Sequence, residues 1–194
     1  MLNNFIFFFK SIYVNVPSKH RREFADKLRT ENLTRLKVMA LFILFLTPFM
    51  GFAHFQLIEK SYCSKIHFYC ETLFAAHYSS ILYALIYLVI YKYTNPKNWH
   101  RFFSEILVLF SILFYLSVFS ITSLAAQFFK GNIVFFTTGS VFMAALFVTF
   151  KRYATLIYFL TLASFIVGLY KFQHDKDLLL LNNINSTIAI FFAY

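Results

Sequence analysis

Apolar residues along the 194-residue chain are concentrated in six long stretches, and polar residues fall mainly between them. The stretches are residues 38–57, 68–93, 102–128, 133–150, 154–172 and 178–194. Most are near or above the roughly 20 residues that an α-helix needs to cross a hydrocarbon core of about 30 Å. No alternation of period two, the signature of a transmembrane β-barrel, runs through them. The pattern therefore predicts an all-α integral membrane bundle of six transmembrane helices.

A basic segment, residues 1–37, precedes the six-helix transmembrane domain of residues 38–194. Within it, Glu23 stands four residues before Lys27, and Glu31 four before Arg35, which is the order that stabilises a helix. We therefore predict an N-terminal juxtamembrane helix. Its loose apolar stripe allows either a position on the membrane surface or packing against a partner.

The positive charges are distributed unevenly between the two sides of the predicted bundle. Of the eighteen Lys and Arg residues, thirteen fall in segments that would share one side, and five fall on the other. The thirteen are Lys10, Lys19, Arg21, Arg22, Lys27, Arg29, Arg35, Lys37, Lys92, Lys97, Arg101, Lys151 and Arg152. The five are Lys60, Lys65, Lys130, Lys171 and Lys176. Because Lys and Arg are retained on the cytoplasmic side, we predict that the N-terminus and the C-terminus are both cytoplasmic.

Composition supports the same class and limits the possible partners. The chain is 60% hydrophobic and 13% charged, whereas soluble domains are about 25% charged. Its formal net charge of +10 borders apolar runs, so the expected partner is the lipid bilayer with its anionic lipids, and no nucleic acid is expected. The sequence holds no glycine-rich phosphate loop, nucleophile elbow or zinc protease motif. We predict no cofactor and no catalysis within this chain.

A few polar residues interrupt the apolar stretches, where burial in lipid costs several kcal/mol and function is the default hypothesis. The candidates for sensing or binding a ligand are His54, Glu71, His77, Asn182 and Asn185. Together with Gln127 they could line a polar pocket at the outer end of the bundle. The alternative is purely structural, since buried amides and histidines often form hydrogen bonds between membrane helices.

Cys63, His67 and Cys70 are spaced four and three residues apart, which would place them on one face of a helix. They are weak candidates for zinc or copper ligands, because a fourth ligand would have to come from elsewhere, and we predict no metal site. A disulfide between the two cysteines is a second possibility, and cysteines without a specific role are the third. The disulfide requires the chain to bend, since seven helical residues separate the Cα atoms by about 10 Å.

Small residues four apart predict faces at which helices approach closely. Two such pairs are Ser140 with Ala144 and Ser164 with Gly168.

The string RTENLTRLKVMALFILFL, residues 29–46, resembles the segment that leads into the six-helix membrane region of bacterial signalling proteins, especially diguanylate cyclases with a C-terminal GGDEF domain. His77, the turn KGNI at residues 130–133 and the final string LLLLNNINSTIAIFFAY agree with the same pattern. The resemblance implies a sensory or regulatory input module in the bacterial inner membrane, and a homodimer. It also implies a cytoplasmic effector following Tyr194, because no GGDEF string occurs in the chain itself.

Two other functions remain open from the sequence. A small stand-alone transporter could use Glu71, His77 and Glu105 as a path for a substrate or proton, although no inverted repeat is visible. A membrane protein without ligand or effector would also account for the small number of polar residues within the apolar stretches.

Overall fold

The computed structural model describes residues 21–59, 67–94, 99–127, 131, 133–147 and 151–193. These described residues form six α-helices and no strand, which confirms the predicted all-α class. The helices are α1 (Arg21–Glu59), α2 (His67–Tyr93), α3 (Arg101–Ala126), α4 (Val134–Leu146), α5 (Lys151–Phe172) and α6 (Lys176–Ala193). Each lies on one of the apolar stretches, although α1 begins well before the first stretch.

Helix α1 runs unbroken through the charged residues and the first apolar stretch, and it continues through Pro48. No Gly or Pro occurs between residues 21 and 47, so no helix-stopping residue separates a juxtamembrane helix from the span. The charged half is packed against the bundle, with Asn32, Leu33 and Leu36 all buried. It contacts α2 and α3 of the same chain. The segment from residue 21 is therefore the first half of a 39-residue helix.

Two tyrosines of α2 connect the first three helices. The Tyr87 hydroxyl donates to the Leu33 carbonyl oxygen of α1 at 2.7 Å, and it is buried. The Tyr83 hydroxyl lies 2.6 Å from the Ser111 Oγ of α3. Because the Ser111 hydroxyl donates to its own helix at the Leu107 carbonyl (2.6 Å), Tyr83 is the donor in the first bond. These bonds join α2 to α1 and to α3.

We expect Tyr87→Phe to lower the free energy of unfolding by about 1 kcal/mol, because it removes one buried hydrogen bond and leaves the Leu33 carbonyl without that donor. The measurement is unfolding in mixed micelles of rising SDS fraction, followed by far-UV circular dichroism. Tyr170→Phe is the matched control, since Tyr170 is exposed. Equal midpoints for the two variants would contradict the assigned bond.

Helix α3 is the centre of the bundle, because it contacts α1, α2, α4 and α5. Its packing surface includes three fully buried serines, Ser104, Ser111 and Ser123. Small side chains of this kind let helices approach closely.

Helix α4 is shorter than the apolar stretch 133–150 predicted, since it has 13 residues and spans about 20 Å. Phe147 has an extended backbone with φ −116° and ψ 130°. The β-branched Val148 and Thr149 follow, and such residues favour extended backbone over helix. The carbonyl of the last helical residue, Leu146, accepts a hydrogen bond from Arg35 Nη1 at 3.2 Å, which satisfies a group that the helix leaves without a partner.

Close packing brings α4 against α3 and α5. A Cβ added at Gly139 would overlap the Phe119 ring of α3, and Ser140 is fully buried. The Phe136 ring stacks on the Phe165 ring of α5 with centroids 3.9 Å apart.

Only part of the predicted small-residue pattern marks a packing face. Ser140 is buried and Ala144 packs at the edge of the core. Ser164 is exposed, so the second pair does not form a face, although Gly168 itself approaches Leu124. The difference arises because the rotation of α5 about its axis is set by its larger buried residues, Tyr158, Phe165 and Leu169.

The antiparallel helices give the bundle two ends. End A holds the C-terminal residues of α3 and α5 and the first turns of α4 and α6, and it includes Gln127, Gly131, Gln173 and Asn182. End B holds Trp99, which precedes α3, and Leu146, which ends α4. Each accepts a hydrogen bond at its carbonyl oxygen from an arginine in the first half of α1. Arg29 donates to Trp99, and Arg35 donates to Leu146.

Much of the outward surface of the bundle is apolar. On α1, Phe42, Phe45, Phe49 and Phe52 are exposed in a row with helical spacing. Among the described residues, four helices are long and apolar enough to cross a membrane: α1, α2, α3 and α5. Helix α4 is apolar but short, and α6 carries three asparagines.

Candidate functional site

Three buried side-chain amides meet at end A, each from a different part of the chain. Gln127 directly follows α3, Gln173 directly follows α5, and Asn182 lies in the second turn of α6. Their exposed fractions are 8%, 8% and 3%. Buried amides need hydrogen-bond partners, because each unpaired group costs about 1–3 kcal/mol. We refer to these three residues as the amide cluster.

Gln127 is the centre of the amide cluster. Its Oε1 accepts one hydrogen bond from Gln173 Nε2 at 2.9 Å and another from Asn182 Nδ2 at 3.0 Å. Its own Nε2 donates to the Ser123 carbonyl oxygen, one turn earlier in α3, at 3.0 Å. That bond orients the amide, so the oxygen faces the other two members. One side chain thus joins α3, the end of α5 and α6.

Asn182 makes a second bond, to the turn between α3 and α4. Its Nδ2 donates to the Gly131 carbonyl oxygen at 2.8 Å. Gly131 has φ +65°, a left-handed conformation that favours glycine, and its N–H donates to the Ala126 carbonyl oxygen at 3.1 Å. An added Cβ would lie 2.9 Å from Leu178 Cδ1 of α6. Glycine at this position lets the turn carbonyl approach α6.

The connection between α5 and α6 is fixed by two further side-chain acceptors. Gln173 Oε1 accepts the Asp175 backbone N–H at 2.9 Å. Asp175 Oδ1 in turn accepts the N–H groups of Asp177 (2.9 Å) and Leu178 (3.1 Å), which makes Asp175 the N-cap of α6. The start of α6 is therefore held by a chain of bonds that begins at Gln127.

The amide cluster also reaches α4 through Ser123, whose Oγ accepts the Phe136 backbone N–H at 2.7 Å. This N–H is one of those that the first turn of a helix leaves without an intrahelical acceptor. All four helices from α3 to α6 are thus tied together at end A. Amides do not ionise near neutral pH, so the three amides support hydrogen bonding and coupling of helix positions, and they supply neither an acid nor a base.

The structure separates the residues that the sequence grouped into one polar pocket. Asn182 and Gln127 belong to the amide cluster, whereas Asn185 is exposed on another side of α6. On α2, Glu71 is exposed and His77 is half-buried. Helix α2 packs on α1 and α3, whereas α6 packs on α4 and α5, so these residues are not brought to the amide cluster. His54 lies in α1, but its side chain is outside the described part. A ligand-sensing role for any of them stays a prediction.

The cysteine stripe can be followed only in part. Cys70 in the first turn of α2 is disulfide-bonded, and the chain's other cysteine, Cys63, is outside the described residues. His67 is the first residue of α2, and its side chain is likewise not described. A disulfide sulfur is not a thiolate, so metal binding by Cys70 and its disulfide are mutually exclusive states. Among the described residues no group of three His, Cys, Asp or Glu could hold a metal ion.

Sequence reasoning missed Gln173 and the acceptor role of Gly131. The pattern places Gln173 between the fifth and sixth apolar stretches and Gly131 in the turn KGNI, and neither position by itself indicates a contact with α6. One signal was present, because both glutamines lie at the ends of apolar stretches that finish on the same side: Gln127 is one residue before the end of 102–128, and Gln173 directly follows 154–172. Polar residues at matching depth on neighbouring helices are good candidates for a bond between helices.

The fold and the apolar surface define the class of the molecule as an all-helical protein with four helices long and apolar enough to span a membrane. No protein-family model, no curated protein and no solved structure matches the chain.

Proposed function

We propose that the chain is a sensory or regulatory input module of the bacterial inner membrane, in which α6 passes the state of end A to a cytoplasmic effector. Six passes with both chain ends in the cytoplasm, an effector after Tyr194 and a homodimer are parts of this proposal. A diguanylate cyclase is the effector that the sequence resemblance favours. The observation that carries the proposal is the pair of bonds from Asn182 in α6 to Gln127 and Gly131.

Those two bonds make the axial position of α6 sensitive to the state of end A. A shift of α6 by one helical turn moves Asn182 by about 5.4 Å along the helix axis. Bonds of 2.8 and 3.0 Å do not survive such a shift, because hydrogen bonds weaken beyond about 3.5 Å. A polar ligand that competes for the Gln127 or Gly131 oxygens would therefore favour a second position of α6. A ligand can transmit a signal only if it binds one of the two positions of α6 more tightly than the other.

The charges at the two ends support the proposed orientation. Described basic residues at end B include Arg29, Arg35, Lys37 and Lys92, and only Lys171 and Lys176 lie at end A, beside Asp175 and Asp177. By the positive-inside bias, end B is cytoplasmic and the amide cluster faces the outer side. An outward amide cluster joined to the helix that enters the cytoplasm is the arrangement that an input module needs.

We expect Asn182→Ala to change the output of an attached effector at least threefold, because it removes both hydrogen bonds that join Asn182 of α6 to Gln127 and Gly131. The experiment joins a GGDEF diguanylate cyclase domain after residue 194 and measures cyclic di-GMP in isolated membranes. Asn185→Ala is the matched control, since it changes the same residue type on the exposed side of the same helix.

Parent-like output from the Asn182→Ala chimera, at equal membrane abundance, would refute the proposal. The same conclusion would follow if Asn182→Ala and Asn185→Ala changed the output equally. Abundance is measured by immunoblot of the membrane fraction, which separates loss of coupling from loss of insertion.

A further inference from the structure

A group of basic and aromatic side chains lies at end B, where α1 passes the connection between α2 and α3. Tyr91 and Trp99 are in edge contact with centroids 6.5 Å apart, and Trp99 contacts Phe103 in the same way at 5.4 Å. The Lys37 ammonium lies 5.0 Å above the Tyr91 ring. Arg29 Nη1 points at the Trp99 carbonyl oxygen from 3.5 Å. We call these five residues the end-B patch.

Among the described residues, no carboxylate neutralises the positive charges of the end-B patch. Arg29 Nε is buried without a hydrogen-bond partner, and its one bond is at the distance limit. Neither Arg29 nor Lys37 pairs with a carboxylate in the part of the chain that the structure describes. Arg35 on the same helix differs, because it lies 3.7 Å from Glu31 and donates to Leu146. A half-buried guanidinium that has no carboxylate partner among the described residues favours an anion as a further partner.

The position of Arg29 explains why this charge is held at the bundle and not in bulk water. It stands on the face of α1 that packs inward, one turn after the buried Ala25 and one turn before the buried Leu33. Lys37 flanks the same face. The two cations therefore stay beside the Tyr91–Trp99 pair.

We propose that the end-B patch binds the phosphate of an anionic phospholipid. Arginine matches phosphate oxygens with its fork of N–H groups, and lysine adds a point charge. Tyr and Trp rings are typical of the level of the lipid headgroups. The exposed Phe102 and Phe103 next to Trp99 offer an apolar surface for the acyl chain. This site is independent of the proposed signalling role and requires only that the bundle lies in a membrane.

Trp99 makes the proposal directly measurable, because it is the only tryptophan of the chain and a member of the patch. The full chain is reconstituted in bilayers that contain dibrominated phosphatidylglycerol or dibrominated phosphatidylcholine. Bromine quenches tryptophan fluorescence at short range, so the quenching curve gives the relative affinity of each lipid for the site. Two cations at the membrane surface predict a preference of about twenty-five-fold for the anionic lipid.

Charge removal at the patch should reduce that preference in steps. We expect Arg29→Gln or Lys37→Gln to lower it to about fivefold, and Arg29→Lys to lower it less. Lys171→Gln is the matched control, because Lys171 also lies over an aromatic ring, Phe172, but near end A. An unchanged Trp99 emission maximum in bromine-free lipid shows that a variant has kept its fold. The single changes Lys37→Gln and Arg29→Lys keep the test valid if Arg29→Gln does not fold.

Three results would overturn the lipid assignment. The first is equal quenching by the two lipids, and the second is a preference that Arg29→Gln and Lys37→Gln leave as it is. The third is loss of the preference on adding inorganic phosphate, but not on adding sodium chloride of equal ionic strength, which would assign the site to a soluble phosphate.

Discussion

Replacing Gln127 with leucine is expected to lower the free energy of unfolding by about 2–4 kcal/mol. The reason is that Gln127 Oε1 is the acceptor for both Gln173 Nε2 and Asn182 Nδ2, so one substitution affects two buried donors. Each buried group that loses its partner costs about 1–3 kcal/mol. Asn182 keeps its bond to Gly131, which limits the loss. The measurement is SDS-induced unfolding in mixed micelles.

The matched variant replaces all three amides with leucine, in Gln127→Leu/Gln173→Leu/Asn182→Leu. Removing donors and acceptors together leaves fewer unsatisfied groups. The triple variant should therefore lose less free energy of unfolding than the sum of the losses in the three single variants. Purely additive losses would show that the three amides do not act as one hydrogen-bonded unit.

Gly139→Ala is expected to destabilise the bundle by about 1–3 kcal/mol, which is the usual cost of extra volume in a well-packed core. The new Cβ would overlap the Phe119 ring, including its Cγ, and a ring held near its attachment point cannot move away cheaply. The lost contact lies between α3 and α4, so the effect should appear as a lower SDS midpoint and faster cleavage by protease near α4.

Gly168→Ala is the control for this prediction. Its Cβ would lie 2.5 Å from Leu124 Cδ1, which is the far end of a flexible side chain that can rotate. Alanine also favours a helix over glycine by up to about 1 kcal/mol, so the net change should be close to zero. Phe119→Leu combined with Gly139→Ala should regain part of the stability. Equal SDS midpoints for Gly139→Ala and Gly168→Ala would show that Gly139 is not in close contact with Phe119.

The helices could be predicted because continuous apolar runs longer than about 15 residues have few alternatives to helix. The stretch 68–93 lies within α2, and 154–172 lies within α5. The prediction differed where local chemistry opposed the apolar pattern, as at the C-terminal end of α4. It also differed in α1, because the charged segment was predicted to be a separate juxtamembrane helix, on the membrane surface or packed against a partner, and it is instead continuous with the first span and packed along α2.

The amide cluster was only partly predictable, because it depends on how each helix is rotated about its axis. Asn182 and Asn185 look equivalent in the sequence, yet the buried face of α6 carries Asn182, Ser186, Ala189 and Ile190. Asn185 lies to the side of that face and is exposed. Gln173 could not be assigned, since its contact with Gln127 joins residues 46 positions apart.

The unbroken course of α1 has a mechanical consequence. A helix of 39 residues is about 58 Å long and bends little under small forces, so it acts as a lever. Because Leu33 and Leu36 hold the first half of the helix in the core, a tilt of about 5° about Leu36 displaces Glu59 by about 3 Å. Movements too small to alter the packing of Leu36 would therefore become larger at the C-terminal end of α1, where a neighbouring protein could detect them.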